Sequence, residues 1–164
     1  MPRRSTPSLG AASLSECFEG DIIRPLGLVT LYFGYAEYEV DLFLERLSVA
    51  GTLGMGWHQR TLGQKLDLLD GAITKLKGSE EVGFDALRHE ARSLFDQRNK
   101  LVHSCIVAGG QVLSGRRDVV ELRTSPEELA SLADRIFTWK EHLHVYRWKL
   151  IEPFLAKLAT VGST

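Results

Sequence analysis

Asp96-Gln97-Arg98-Asn99-Lys100-Leu101-Val102-His103-Ser104 begins inside a helical pattern and ends where that pattern stops. Each residue of a helix advances ~100° about its axis. On that wheel Phe84, Leu87, Ala91, Leu94, Phe95, Leu101 and Val102 share one face, as a core-facing helix requires, and Arg98 lies near its middle. A buried guanidinium is unfavourable unless paired and hydrogen-bonded, so Arg98 calls for a charge from a neighbouring helix, a partner chain or a bound anion. Asn99 and His103 share a different, polar flank, with Arg92 and Asp96 beside them. Arg98 and His103 point ~140° apart while the helix lasts.

Upstream, residues 1–20 are rich in Ser, Pro, Gly and Arg and read as a flexible arm. Arg3 and Arg4 in that arm could touch a phosphate backbone, although a solvated tail is the plainer account. A first helix is expected from about Asp21 to Ala50, with Pro25 in its first turn. Its apolar arc is wide: Leu28, Val29, Tyr32, Tyr35, Ala36, Val40, Leu42, Phe43 and Leu47 cover more than half the wheel. Such a helix faces both its own core and a second subunit. Glu39 falls inside the arc and is the first candidate partner for Arg98; Glu37 is the second.

Gly51, Gly54 and Gly56 break that helix. Thr61-Leu62-Gly63-Gln64 matches a capping box and opens a second helix, whose stripe is Leu62, Leu66, Leu69, Ile73 and Leu76, with Gly78 as its stop. The third helix starts near Ser79 or Phe84 and runs to Ser104. Beyond it, Cys105 to Leu113 reads as a hairpin turning at Gly109-Gly110, and Val119 to Leu122 as a third strand. Ser125-Pro126-Glu127-Glu128 is a strong helix start: a cap, a proline at the first helical position, and acids against the dipole. The fourth helix extends to about Ala159, with Pro153 expected to bend it or separate its last turns. Lys140 and Arg147 point toward its inner side, lining a polar pocket or snorkelling from the core edge.

The R-N-x-x-x-H pattern of Arg98, Asn99 and His103, near the end of the third of four helices, resembles the signature of HEPN-domain proteins. T-L-G-Q-K-L-D-L-L from Thr61 also resembles the second-helix opening of several HEPN-like proteins. The expected fold is all-α: an up-and-down four-helix bundle over 21–160, with a small β-hairpin (about 105–123) between helices 3 and 4. The resemblance implies a metal-independent endoribonuclease that needs no cofactor and works as a two-fold homodimer. RNA would be cleaved by attack of its 2′-hydroxyl, leaving a cyclic phosphate. Arg98 would hold phosphate oxygens, Asn99 would orient, and His103 would move the proton. Glu39, Lys100 and Ser104 are supporting candidates; Arg92, Arg116, Arg117, Lys140 and Arg147 are weaker candidates for touching RNA. A toxin or defence effector restrained by an antitoxin or other regulatory protein fits this class. The alternative is a catalytically silent HEPN-like dimerisation or binding module, with Arg98 neutralised by Glu39.

Composition is compatible with both. The chain has 164 residues, 44% of them hydrophobic and 25% charged, enough for one domain with a real core. A net charge of −1 argues against coating nucleic acid through bulk charge, but leaves room for a local basic site. Cys17 and Cys105 suggest neither a disulfide framework nor a zinc site, which fits a reducing cytoplasm. No apolar stretch suggests export or a membrane span. The histidines at 58, 89, 142 and 144 complete no metal shell, and the chain has no Gly-rich phosphate loop, G-x-S-x-G elbow or H-E-x-x-H.

Overall fold

Apolar residues spaced alternately four and three apart form a continuous stripe along a helix. In α1 (Ile23–Val49) that stripe is Val29, Phe33, Ala36, Val40, Phe43 and Leu47, all of them buried. The computed structural model describes residues 22–54, 56–77, 83–102, 104–107, 111–114 and 122–161. The arm expected over 1–20 lies outside them. The fold is all-α in character, with α1 joined by α2 (Leu62–Lys77), α3 (Gly83–Val102) and α4 (Pro126–Val161) around one core. Leu66, Leu69 and Ile73 enter it from α2, Phe84, Leu94 and Phe95 from α3, and Ile136, Trp139 and Leu143 from α4.

Helix ends follow local chemistry. Thr61 and Gln64 form a reciprocal cap: each backbone amide donates to the other's side-chain oxygen, at 3.0 and 3.4 Å. Ser125 and Glu128 repeat the arrangement ahead of α4, at 3.1 and 3.2 Å. At the carboxyl end of α1, the Gly51 amide donates to the Ser48 carbonyl and the Thr52 amide to that of Leu47. This is a Schellman closure, and it places Gly51 at φ +74, where a β-carbon is strained. The expected break at the glycines thus has a specific cause. α4 continues through Pro153 as one helix, so its last turns are not a separate element.

Between α3 and α4 the backbone forms β1 (Ser104–Val107), β2 (Gln111–Ser114) and β3 (Leu122–Arg123), paired antiparallel in that order. Val107 pairs with Gln111, leaving three residues between the strands rather than a two-residue Gly109-Gly110 turn. β3 begins where a strand over Val119–Leu122 was expected to end.

Ring contacts give the helix directions. Phe33 meets Phe95 and Phe43 meets Phe84, so α3 runs opposite to α1. Phe95 meets Trp139 and Phe84 meets Tyr146, so α4 runs opposite to α3. Tyr32 meets Phe137 and Phe43 meets Tyr146, so α1 and α4 lie side by side pointing the same way. The strict alternation of an up-and-down bundle is therefore not kept: α2 cannot be antiparallel to both α1 and α3 when those two oppose each other. The Trp139 indole N–H also donates to the Leu87 carbonyl at 2.8 Å, fixing α4 against the amino-terminal part of α3.

Replacing Gly51 with Ala should destabilise the protein by roughly 1–2 kcal/mol through backbone strain, since no atom lies within 4 Å of the added β-carbon. Gly54→Ala, at a glycine whose φ is not positive, should cost less. Urea unfolding of the two variants checks this; equal midpoints would show that the left-handed closure contributes nothing.

Candidate functional site

Three charged side chains lie on faces that otherwise build the core: Glu39 of α1, Arg98 of α3 and Arg147 of α4. Among the described residues Glu39 and Arg147 are the buried charged ones, at 5% and 3% exposure, and the Arg147 Nε–H donates to the Glu39 carboxylate at 2.7 Å. The sequence expectation that Glu39 answers Arg98 is corrected by this pair. Arg98 stands at the level of Phe33, six residues or about 9 Å along α1 from Glu39. The parallel course of α1 and α4 instead brings Arg147 level with the carboxylate. Glu37, the second candidate, is on the exposed side of α1.

His144 completes the cluster. Its Nδ1 is 3.3 Å from Glu39 and 3.3 Å from an Arg147 amino nitrogen, while the ring is 42% exposed. Nδ1 can donate to the carboxylate or accept from the guanidinium, but not both at once. Sequence reasoning passed over His144; the available signal was its place three residues before an inward arginine, one helical turn away.

Arg98 is held differently. Its guanidinium carbon lies 4.1 Å from the centre of the Phe33 ring, and Nη1 donates to the Asn99 side-chain oxygen at 3.1 Å. Its Nε is buried without a hydrogen-bond partner. A cation over a ring is worth about 0.5–2 kcal/mol, while a buried unmet donor costs about 1–3 kcal/mol. The ring therefore roughly offsets the unmet N–H and leaves the group receptive to an anionic acceptor. Among the described residues no carboxylate pairs with it.

Other expected site residues divide by position. Asn99 and Lys100 are exposed near the end of α3. Ser104 opens β1, where the backbone alone is described, and His103, Arg116 and Arg117 lie outside the described residues. Arg92 is paired with Asp67 of α2, within a set of ion pairs that also joins Arg88 to Asp70. Lys140 lies 4.6 Å from the Phe137 ring centre and bonds to Glu141, holding that carboxyl below its ordinary range. Arg147 is committed to the core.

The end of α3 and the start of α4 border an open cleft of about 560 Å³, which Gln97 and Lys100 line and Arg98 does not. Leu101, Leu129 and Leu132 give it apolar walls, with Lys100, Arg135 and Glu127 among its polar lining. On the outer side of α1 and α4, Leu31, Tyr35, Tyr38, Val145 and Trp148 are exposed. Among the described residues no group of three or more His, Cys, Asp or Glu could hold a metal ion, and no helix is long and apolar enough to cross a membrane.

Arg147→Ala should cost up to about 3–5 kcal/mol, because it leaves the buried Glu39 carboxylate with only the half-exposed His144 ring beside it. The double variant Glu39→Leu with Arg147→Met should recover much of that loss. Thermal unfolding of the single and double variants decides it; a double variant as unstable as the single would mean that the pair is not an isolated ionic unit. Comparisons of the chain with protein-family models, curated proteins and solved structures find no match.

Proposed function

We propose that the chain is a metal-independent endoribonuclease of HEPN type, with Arg98, Asn99 and His103 as its working residues. The observation that supports this best is Arg98: among the described residues its charge meets a ring and an amide, no carboxylate pairs with it, and Nε lacks an acceptor. Nε is closed off, but the side chain as a whole is only half-buried, and phosphate oxygens suit the planar fork of its amino nitrogens. In the proposed reaction the 2′-hydroxyl of RNA loses its proton to a base and attacks the adjacent phosphorus. The 5′-oxygen leaves with a proton, giving a cyclic phosphate and a 5′-hydroxyl. His103 moves one of these protons, Arg98 stabilises charge gathering on the phosphate oxygens, and Asn99 fixes the Arg98 fork.

Two copies related by a two-fold axis would combine Arg98 and His103 of both chains in one cleft, the arrangement that the family resemblance implies. A cytoplasmic toxin or defence effector, restrained by a protein partner, is the proposed setting. One observation favours the second reading, a silent binding module: the exposed side chains of α1 and α4 form an aromatic surface suited to a protein contact.

Labelled RNA incubated in EDTA separates the two. Wild type should cleave it, Arg98→Ala should lose about 10²–10³-fold, and His103→Ala about 10²–10⁴-fold. RNA left equally intact by all three proteins would remove the enzyme and leave the binding module. Sedimentation at micromolar concentration should show a dimer; a monomer would rule out the shared site.

A further inference from the structure

We propose that the cleft between the end of α3 and the start of α4 is a guanine-binding site for the RNA base next to the cleaved phosphate; this rests on the ribonuclease activity proposed above. At about 560 Å³ the cleft falls within the range of small-ligand sites. Leu129 and Leu132 back the cleft from the core, and the half-buried Leu101 presents the apolar surface against which a flat ring can lie.

The polar lining narrows the choice of ring. Lys100 on α3 and Arg135 on α4 bring donors to the cleft, and Glu127 brings a carboxylate. The neighbouring Glu128 is committed to the helix cap through Ser125. Its own backbone amide and the nearby Ser125 hydroxyl hold the Glu127 carboxyl below the usual range, so it stands as an exposed acceptor. A ligand that is mainly phosphate would meet these two acids. A neutral ring with acceptors on one edge and donors on another would meet a complement on both walls.

Guanine has that pattern: O6 and N7 accept from Lys or Arg, while N1–H and the 2-amino group form an adjacent pair of donors that a carboxylate can take together. Adenine has no such pair, and uracil and cytosine present a smaller apolar face. Position ties the cleft to the candidate chemistry. Leu101 and Gln97 of its lining lie ~60° and ~100° around α3 from Arg98, so the cleft opens on the neighbouring face of the same end of the helix.

The test uses guanosine monophosphate and adenosine monophosphate, neither of which can be cleaved by this reaction. Titration of the whole chain, followed by methyl NMR, should shift the Leu101, Leu129 and Leu132 signals, with GMP binding at least about tenfold more tightly than AMP. Glu127→Gln should erase that preference. Ser131→Trp, which fills the cleft from an exposed position, should abolish binding of both while the unfolding temperature stays near that of wild type. Equal affinity for the two nucleotides, or shifts confined to methyls elsewhere, would overturn the site. GMP preference without RNA cleavage would keep the guanine site and discard the enzyme; cleavage indifferent to guanine, with no nucleotide bound in the cleft, would discard the site and keep the enzyme.

Discussion

One buried carboxylate can satisfy the charge of one guanidinium, and in this fold Glu39 satisfies Arg147. Taking either ion out of water costs several kcal/mol, which is repaid only when both sit in register. That requirement penalises any sliding of α4 along α1. It also removes from Arg98 the one buried acid found among the described residues. The stability of one helix pair and the receptiveness of a third helix are thus two effects of the same contact.

Arg98 is correspondingly suspended between structure and chemistry. Phe33 lends it a negative ring face, Asn99 takes one of its donors, and a further donor faces no acceptor. A guanidinium locked in an ion pair would have to give up a carboxylate when an anion arrived; this one, among the described residues, gives up at most an amide. The difference is of the size of one hydrogen bond to a charged group, about 1.5–3 kcal/mol, enough to matter in holding a single phosphate.

Much of this was legible in the chain itself, for local reasons. Periodicity gave the stripes of α1 to α4, and Thr61 with Gln64, Ser125 with Glu128, and Gly51 marked helix ends through bonds spanning only a few residues. The same wheel placed Glu39, Arg98 and Arg147 on inward faces. It could not say which would meet, because angular position around an axis carries no information about which helix lies alongside or which way it runs. The assumption of strict alternation failed at that point, and with it the pairing of Glu39 with Arg98. The apolar bed of the cleft was visible only as core residues, since a cavity is created by two helix ends failing to close over each other. His103, Arg116 and Arg117 fall outside the described residues, so the expectations placed on them stand as chemistry rather than geometry.

The parallel course of α1 and α4 also decides where each end of the described chain emerges. The amino end of α1 lies toward the level of Phe33 and Arg98, whereas α4 leads away from that level toward the opposite pole. A tag or tether joined directly to Ile22 in place of the preceding residues would therefore start beside the end that carries Arg98. The same attachment after α4 would leave that end clear, so the polarity of a fusion is a physical variable in any experiment on this chain.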